Sequence, residues 1–230
     1  DAAGGLLNAT LGNLTELVIA LTALAAGQIM LVKASIAGAI VTNTLFMMGA
    51  SFLLGGLRHH VQEFNRIGAR MQSGLLFLAT IALLVPSALA TADASSAAFT
   101  RKLSVGLAVL LIAAYALGLL FSLKTHRELF ASAEHAKDDE EPWPLKLALA
   151  TLAAVTVLVA LVSEIFVESV QAAAEAFGMT PAFVGFIVVS LVGAAAEMAS
   201  AFSAAHKDRL DLSVRIALGS ASQIALFVAP

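Results

Sequence analysis

Five glutamates stand inside runs of sequence otherwise free of charge: Glu16 within 6–26, Glu164, Glu168 and Glu175 within 147–177, and Glu197 within 181–205. An isolated carboxylate in apolar surroundings is expensive, so each must find a proton, a cation or a hydrogen-bond donor. No lysine or arginine shares these runs to serve as a partner. Two glutamates meeting at one site would therefore share protons or hold a cation between them. A metal needs both carboxylates ionised, so protons and cation would compete. Other residue types narrow the chemistry further. The chain has no cysteine, and all five histidines (His59, His60, His126, His135 and His206) fall between the apolar runs, which disfavours Zn²⁺ or Cu⁺. With no Asp or His inside any of the runs, an intramembrane hydrolase lacks its usual groups, and the chain reads as no enzyme.

The elements that must position these residues follow from composition. Of 230 residues 60% are apolar, while Lys+Arg number 13 and Asp+Glu 16. That is about half the ~25% charged content of soluble domains, and it identifies an integral membrane protein. So few cations also exclude the basic face of a nucleic-acid binder. Charge-free stretches at 34–57, 71–92 and 103–123 each reach the roughly 20 residues that cross a bilayer as a helix. Runs at 6–26, 147–177 and 181–205 add three more, and a seventh begins near Leu212, delayed by Arg215. No ten-residue alternation suggests a barrel, so the fold class is an all-α polytopic bundle. The chain starts at Asp1 without Met and stops at Pro230 inside an apolar run, and we read it as part of a longer protein.

Orientation follows from the distribution of Lys and Arg on alternate loops. One side receives Arg58, Arg66, Arg70, Lys124, Arg127, Lys137, Lys146, Lys207, Arg209 and Arg215; the other receives Lys33, Arg101 and Lys102. The loops at 58–70, 124–146 and 206–211 are thus expected in the cytoplasm. The longest carries Glu134, Asp138, Asp139, Glu140 and Glu141, then Pro142 and Pro144, which keep the next helix from starting early. This acidic linker, 131–144, separates a first transmembrane part of four helices (1–130) from a second of three (145–230).

Displacing the chain by 181 positions aligns 12–46 with 193–227 without a gap, and eight of the 35 pairs are identical. Gly12 meets Gly193, Glu16 meets Glu197, Gly38 meets Gly219, and Leu45-Phe46 meets Leu226-Phe227. The single acidic residue of each paired helix falls in register. The second copy begins five spans after the first, with four spans between them, so they run in opposite directions, the inverted-repeat pattern of secondary transporters with a site at the bilayer midplane. Ca²⁺ takes about six to eight oxygens, of which two carboxylates supply at most four. Further oxygens are available from Asn8, Asn13, Thr42 and Asn43 in the first copy, Ser220, Ser222 and Gln223 in the second, and carbonyls loosened beside Gly12 and Gly193. Glu164 and Glu168, one helical turn apart, share a face and suit a vestibule or proton relay.

The stretches GLLNATLGNLTELVIALTAL (5–24), KASIAGAIVTNTLF (33–46), SEIFVES (163–169) and GSASQIALFVAP (219–230) resemble the calcium/proton exchangers of the cation/Ca²⁺ antiporter superfamily. The resemblance implies two five-helix repeats preceded by one helix, so that about seven of eleven helices are present here. It implies a cation/proton site at Glu16 and Glu197, with Asn13, Asn43 and Gln223 beside them and Ser220, Gly12 and Gly193 as accessories. It assigns the acidic residues 134–141 a regulatory role. The implied activity is export of cytoplasmic Ca²⁺, a transported substrate rather than a cofactor, against H⁺ across a bacterial inner membrane; a homo-oligomer is left open. The family's second motif resembles Gly-Asn-Ala-Ala-Glu-His, whereas this chain reads Gly193-Ala194-Ala195-Ala196-Glu197-Met198. Fewer polar ligands in that half keep Na⁺/H⁺ or K⁺/H⁺ exchange as the alternative.

Overall fold

The computed structural model describes residues 12–92, 97–125 and 144–230, and every regular element among them is helical. In chain order these are α1 (Leu14–Ala25), α2 (Ile29–Gly56), α3 (Arg66–Ala92), α4 (Ala98–Thr125), α5 (Leu145–Ala176), α6 (Pro181–Gly193), α7 (Ala195–His206) and α8 (Leu210–Val228). Helices α2, α3, α4, α5 and α8 are each long and apolar enough to cross a membrane. The expected spans at 34–57, 71–92, 103–123 and 147–177 correspond to four of these. The seventh starts at Leu210 rather than Leu212, with Arg215 inside the helix, because one half-buried arginine does not stop helix formation. Pro144 is the N-cap residue of α5 and Pro181 the first residue of α6, positions where a missing N–H costs nothing.

The run expected as one span over 181–205 is broken. α6 and α7 meet at Ala194 (φ −82°, ψ 3°) with a bend of 55°. Neither proline nor charge marks this point, so hydropathy passes over it.

Small residues set the closest approach. A Cβ on Gly38 of α2 would collide with the backbone of Phe186 on α6. Reciprocally, one on Gly185 would lie 2.6 Å from the Leu31 carbonyl oxygen and 2.9 Å from the Ala34 Cβ. The two helices therefore pack backbone to backbone, as membrane helices with small residues do. Around that contact Ile19, Ala23, Leu31, Val167, Val170, Ala174, Val184 and Val189 form one core, joining α1, α2, α5 and α6. Ala79, Ala82 and Leu111 of α3 and α4 close on Ala225 and Leu226 of α8. Met47, Ala194, Ala201 and Ala217 seal the junction of α2, α7 and α8.

Polar bonds at the helix ends show which loops lie together. Arg58 hydrogen-bonds His206 at 2.8 Å, Gln62 donates to Asp208 at 3.1 Å, and the Asn65 backbone N–H donates to Asp211 at 2.8 Å. The loop after α2 and the turn between α7 and α8 thus share one end of the bundle. The charge count placed these two segments on the same side. At the turn between α1 and α2, Gln28 donates to Gln171 of α5 at 2.9 Å.

Candidate functional site

α1 and α7 each begin immediately after a residue whose backbone leaves the helical region, Asn13 (φ −107°, ψ 35°) and Ala194. Glu16 and Glu197 both fall in the first turn that follows. The two half-buried carboxylates of these turns lie within mutual electrostatic reach. Gly193 packs beside the pair: a Cβ there would stand 3.5 Å from Glu16 Cγ, an ordinary contact.

A hydrogen-bonded network surrounds Glu197. Ser220 Oγ lies 2.8 Å from Glu197 Oε2 and 2.7 Å from Asn13 Oδ1, and it accepts from Asn43 Nδ2 at 2.7 Å. Asn13 Nδ2 donates to Gln223 Oε1 at 2.8 Å. All four neutral members of the network are at least nine-tenths buried, with Asn43 at 0% exposure and Asn13 at 2%. Among the described residues Asn43 Oδ1 and Gln223 Nε2 have no hydrogen-bond partner. The backbone helps to place these side chains. α2 loosens into a π-helical turn over Thr42–Met47 and α8 over Ile224–Val228, and such turns re-aim the residues at their boundaries.

Glu16 has different surroundings. A crevice beside it is walled by Ile19, Ala20, Ala39, Val189 and Ile224, with Ser35 and Ser190 contributing hydroxyls. Ser190 also hydrogen-bonds Thr42 at 3.2 Å. Sequence reasoning missed Ser190, although it is the one polar residue in the run 181–192.

The structure thus brings Glu16, Glu197, Asn13, Asn43, Gln223, Ser220 and Gly193 together. Gly12 directly precedes Asn13 at the start of α1, and Ser222 instead faces α3, donating to the Gln72 carbonyl at 3.4 Å. Glu164 and Glu168 are not brought to the pair: α5 packs through Ser163, Val167, Val170 and Ala174, which turns both glutamates, and Glu175, to the exposed side. Asn8 and the proposed regulatory residues Glu134, Asp138, Asp139, Glu140 and Glu141 lie outside the described residues. Among the described residues no three His, Cys, Asp or Glu side chains gather into a metal-binding group. A cation here would depend on two carboxylates supplemented by amide, hydroxyl and backbone oxygens, a set suited to a hard ion such as Ca²⁺.

Comparison with known proteins agrees with this architecture. The chain is 43% identical to the Ca²⁺/H⁺ antiporter ChaA of Bacillus subtilis over 231 residues, covering 99% of this chain and 65% of that protein. It is 42% identical to the Ca²⁺/H⁺ antiporter of Synechocystis over 245 residues, covering 99% of this chain and 66% of that protein. The solved structure of native YfkE matches with a TM-score of 0.79 at 38% identity, covering 100% of this chain and 65% of that one. The chain therefore spans about two thirds of the length of these relatives. The family described as sodium/calcium exchanger protein matches residues 1–124 and 147–230. Through that match, and through relatives and a fold that agree with it over nearly every residue, the chain belongs to the sodium/calcium exchanger family of integral membrane proteins.

Proposed function

We propose that this chain forms part of a Ca²⁺/H⁺ antiporter of the bacterial inner membrane. The observation that carries the reading is the meeting of Glu16 and Glu197, contributed from matched positions of two repeats, in apolar runs that hold no lysine or arginine. In this reading both carboxylates ionise to hold Ca²⁺, with Asn13, Asn43 and Gln223 supplying neutral oxygens and Ser220 orienting them. Protons arriving from the outside neutralise the carboxylates after Ca²⁺ has left, and the protonated site returns. Parts 1–130 and 145–230 rock against each other around the pair, joined by the acidic linker 131–144. Moving one charge through the field gains or costs about 2.3 kcal/mol per 100 mV, so exchange of two protons per Ca²⁺ is electroneutral.

The names of the Bacillus and Synechocystis relatives support Ca²⁺ and H⁺ as the exchanged ions, with Ca²⁺ as cargo and no resident cofactor. Nothing in the relatives or the geometry favours the Na⁺/H⁺ or K⁺/H⁺ alternative raised by Ala194 and Met198. The test is ⁴⁵Ca²⁺ uptake into inside-out vesicles holding the full-length protein under an imposed pH gradient. Wild type takes up Ca²⁺ only with the gradient present, and Glu16→Gln and Glu197→Gln do not. Proton movement on adding Na⁺ or K⁺, without Ca²⁺ uptake, overturns the ion assignment.

A further inference from the structure

The two glutamates meet hydrogen-bonding groups of different kinds. Both sit in the first turn of a helix, where free N–H groups favour negative charge, so the helix ends do not tell them apart. The side chains do. Glu197 Oε2 lies 2.8 Å from Ser220 Oγ, a hydroxyl able to donate to it. Among the described residues no side chain donates to Glu16. The crevice beside Glu16 is aliphatic except for two hydroxyls, and each has already committed its single proton to a backbone carbonyl. Ser35 donates to Val32 at 2.9 Å. Ser190 donates to Phe186, with the Ile187 carbonyl within 3.2 Å as a second acceptor. Thr42 Oγ1 lies 3.2 Å from Ser190 Oγ, and since the Ser190 proton is engaged, Thr42 is the donor of that pair. Ser190 therefore accepts once and keeps one lone pair, and Ser35 keeps both. The crevice offers Glu16 acceptors and no side-chain donor.

That lining distinguishes the protonation states of a carboxyl group. An ionised carboxylate only accepts, so it gains nothing from these hydroxyls. A protonated one has an O–H to give, which is costly to leave unpaired among alkyl groups. The crevice also has a definite place in the bundle. Its walls on α1, α2, α6 and α8 all lie beyond the layer of Asn13, Asn43, Gly193 and Gln223, toward the turn at Gly27, which the charge count puts at the outer face. Toward the other end, Met47, Ala194, Ala201 and Ala217 close the packing.

We propose that Ser190, held between Thr42 and the Phe186 carbonyl, is the positioning residue for the proton-carrying form of Glu16, accepting its O–H in the outer crevice, while Glu197 is the member of the pair that more readily keeps its charge. The arrangement crosses the repeats, since Thr42 comes from the first and Ser190 from the second. No other titratable group lines the crevice. α7 contributes Glu197 opposite Glu16, and α6 has no titratable residue. Lys33 of α2, with Asp211 and Arg215 of α8, stands outside the walls, and α5 turns Glu164, Glu168 and Glu175 to its exposed side.

This inference rests on the antiporter reading and deepens it by dividing the work of the two carboxylates. Purified full-length protein is titrated while the infrared bands of protonated glutamate are recorded, each assigned by its absence from Glu16→Gln or Glu197→Gln. As the pH rises in wild type, the Glu197 band disappears first and the Glu16 band last. In Ser190→Ala the Glu16 band shifts to higher frequency and its midpoint falls by about half a unit to one unit, the several-fold change in proton affinity that one hydrogen bond supplies. In ⁴⁵Ca²⁺ uptake by inside-out vesicles, Ser190→Ala keeps the wild-type KM at alkaline pH, and acid raises its KM less than it raises that of wild type. A Glu16 band that disappears before the Glu197 band, or one that Ser190→Ala leaves unmoved, overturns the assignment. A KM raised equally at every pH in Ser190→Ala also overturns it, in favour of a hydroxyl that ligates the cation. Absence of gradient-driven uptake by wild type overturns the antiporter reading, and the order of the two infrared bands still decides the proton assignment.

Discussion

Displaced by 181 positions, the two hairpins of the repeat share a backbone and differ in chemistry. α1 over Leu14–Ala25 corresponds residue for residue to α7 over Ala195–His206, and the left-handed turn residue Gly27 (φ 75°) corresponds to Asp208 (φ 61°). Ala20 and Ala23 are buried, as are their counterparts Ala201 and Ala204. The polar positions do not follow this symmetry. Asn13 is matched by Ala194, Ser220 by Ala39, Gln223 by Thr42 and Asn43 by Ile224. As a result Glu197 is held by a hydroxyl inside a buried network, while Glu16 stands against a crevice walled mainly by alkyl groups. The backbone of an inverted repeat is thus preserved by small residues and turn geometry, and the polar equipment needs only one complete copy, shared across the boundary.

The largest effects test whether both glutamates are needed despite their unequal surroundings. Glu16→Gln and Glu197→Gln each abolish Ca²⁺ uptake, because one remaining carboxylate neither balances the divalent ion nor carries two protons. In wild type, lowering the pH on the loading side raises the Ca²⁺ KM, since protons occupy the oxygens the ion requires. A KM that does not move with pH breaks the competition. Next in size are exchanges of the unmatched pair. Asn13→Ala deprives Gln223 and Ser220 of their shared partner and raises the Ca²⁺ KM about tenfold or more, read by the same uptake assay. Ala194→Asn restores symmetry in sequence but not in function. Ala194 is 1% exposed among Met47, Ala201 and Ala217, so the added amide is overpacked, lowers thermal stability by about 1–3 kcal/mol and leaves the KM no better.

The same contrast explains what the sequence disclosed. Spans were legible because lipid tolerates few charges, so gaps between Arg and Lys mark the apolar middles of helices such as α3 and α4, whose first turns extend past the flanking cations. The register of Glu16 with Glu197 was legible for a related reason: a carboxylate in an apolar run has no cheap explanation. The break at Ala194 was not, since it arises from two backbone angles at a residue with ordinary helical propensity. Ser220 was read only as an accessory, because a serine inside a helix is unremarkable until three partners from other segments converge on it. For α5 the carboxylates at 164 and 168 drew the eye, yet the packed face is the stripe of Ser163, Val167, Val170 and Ala174, one residue out of phase. Small and branched residues at helical spacing decide which face packs, and charges take what remains.

Smaller effects sharpen the comparison of the backbones. Gly38 and Gly219 occupy matched positions and meet different neighbours. A Cβ at Gly38 strikes the backbone of Phe186, which cannot swing aside, so Gly38→Ala forces α2 and α6 apart and costs about 1–3 kcal/mol. A Cβ at Gly219 lies 3.6 Å from Gln72 Nε2, an ordinary contact, and Gly219→Ala changes stability by less than about 0.5 kcal/mol. Thermal unfolding of the full-length protein in detergent reads both, and equal costs would mean that the two hairpins are packed alike after all.

The turn residues give the smallest difference. A Cβ added at Gly27 has nothing within 4 Å, so Gly27→Ala meets no steric contact and costs only the strain of an L-residue at φ 75°, about 1–2 kcal/mol. Asp208 already adopts φ 61°, which aspartate tolerates better than most residues. Asp208→Gly relieves that strain but forfeits the bond from Gln62 at 3.1 Å and the His59 contact at 4.0 Å. Asp208 is 56% exposed there, so these contacts contribute little, and the two changes cancel to within about 0.5 kcal/mol. A loss from Asp208→Gly as large as that from Gly27→Ala, in the same unfolding measurement, would show that the turn between α7 and α8 is held by its side-chain bonds to the loop after α2 rather than by its own backbone. The two turns would then differ in kind, as the two glutamates do.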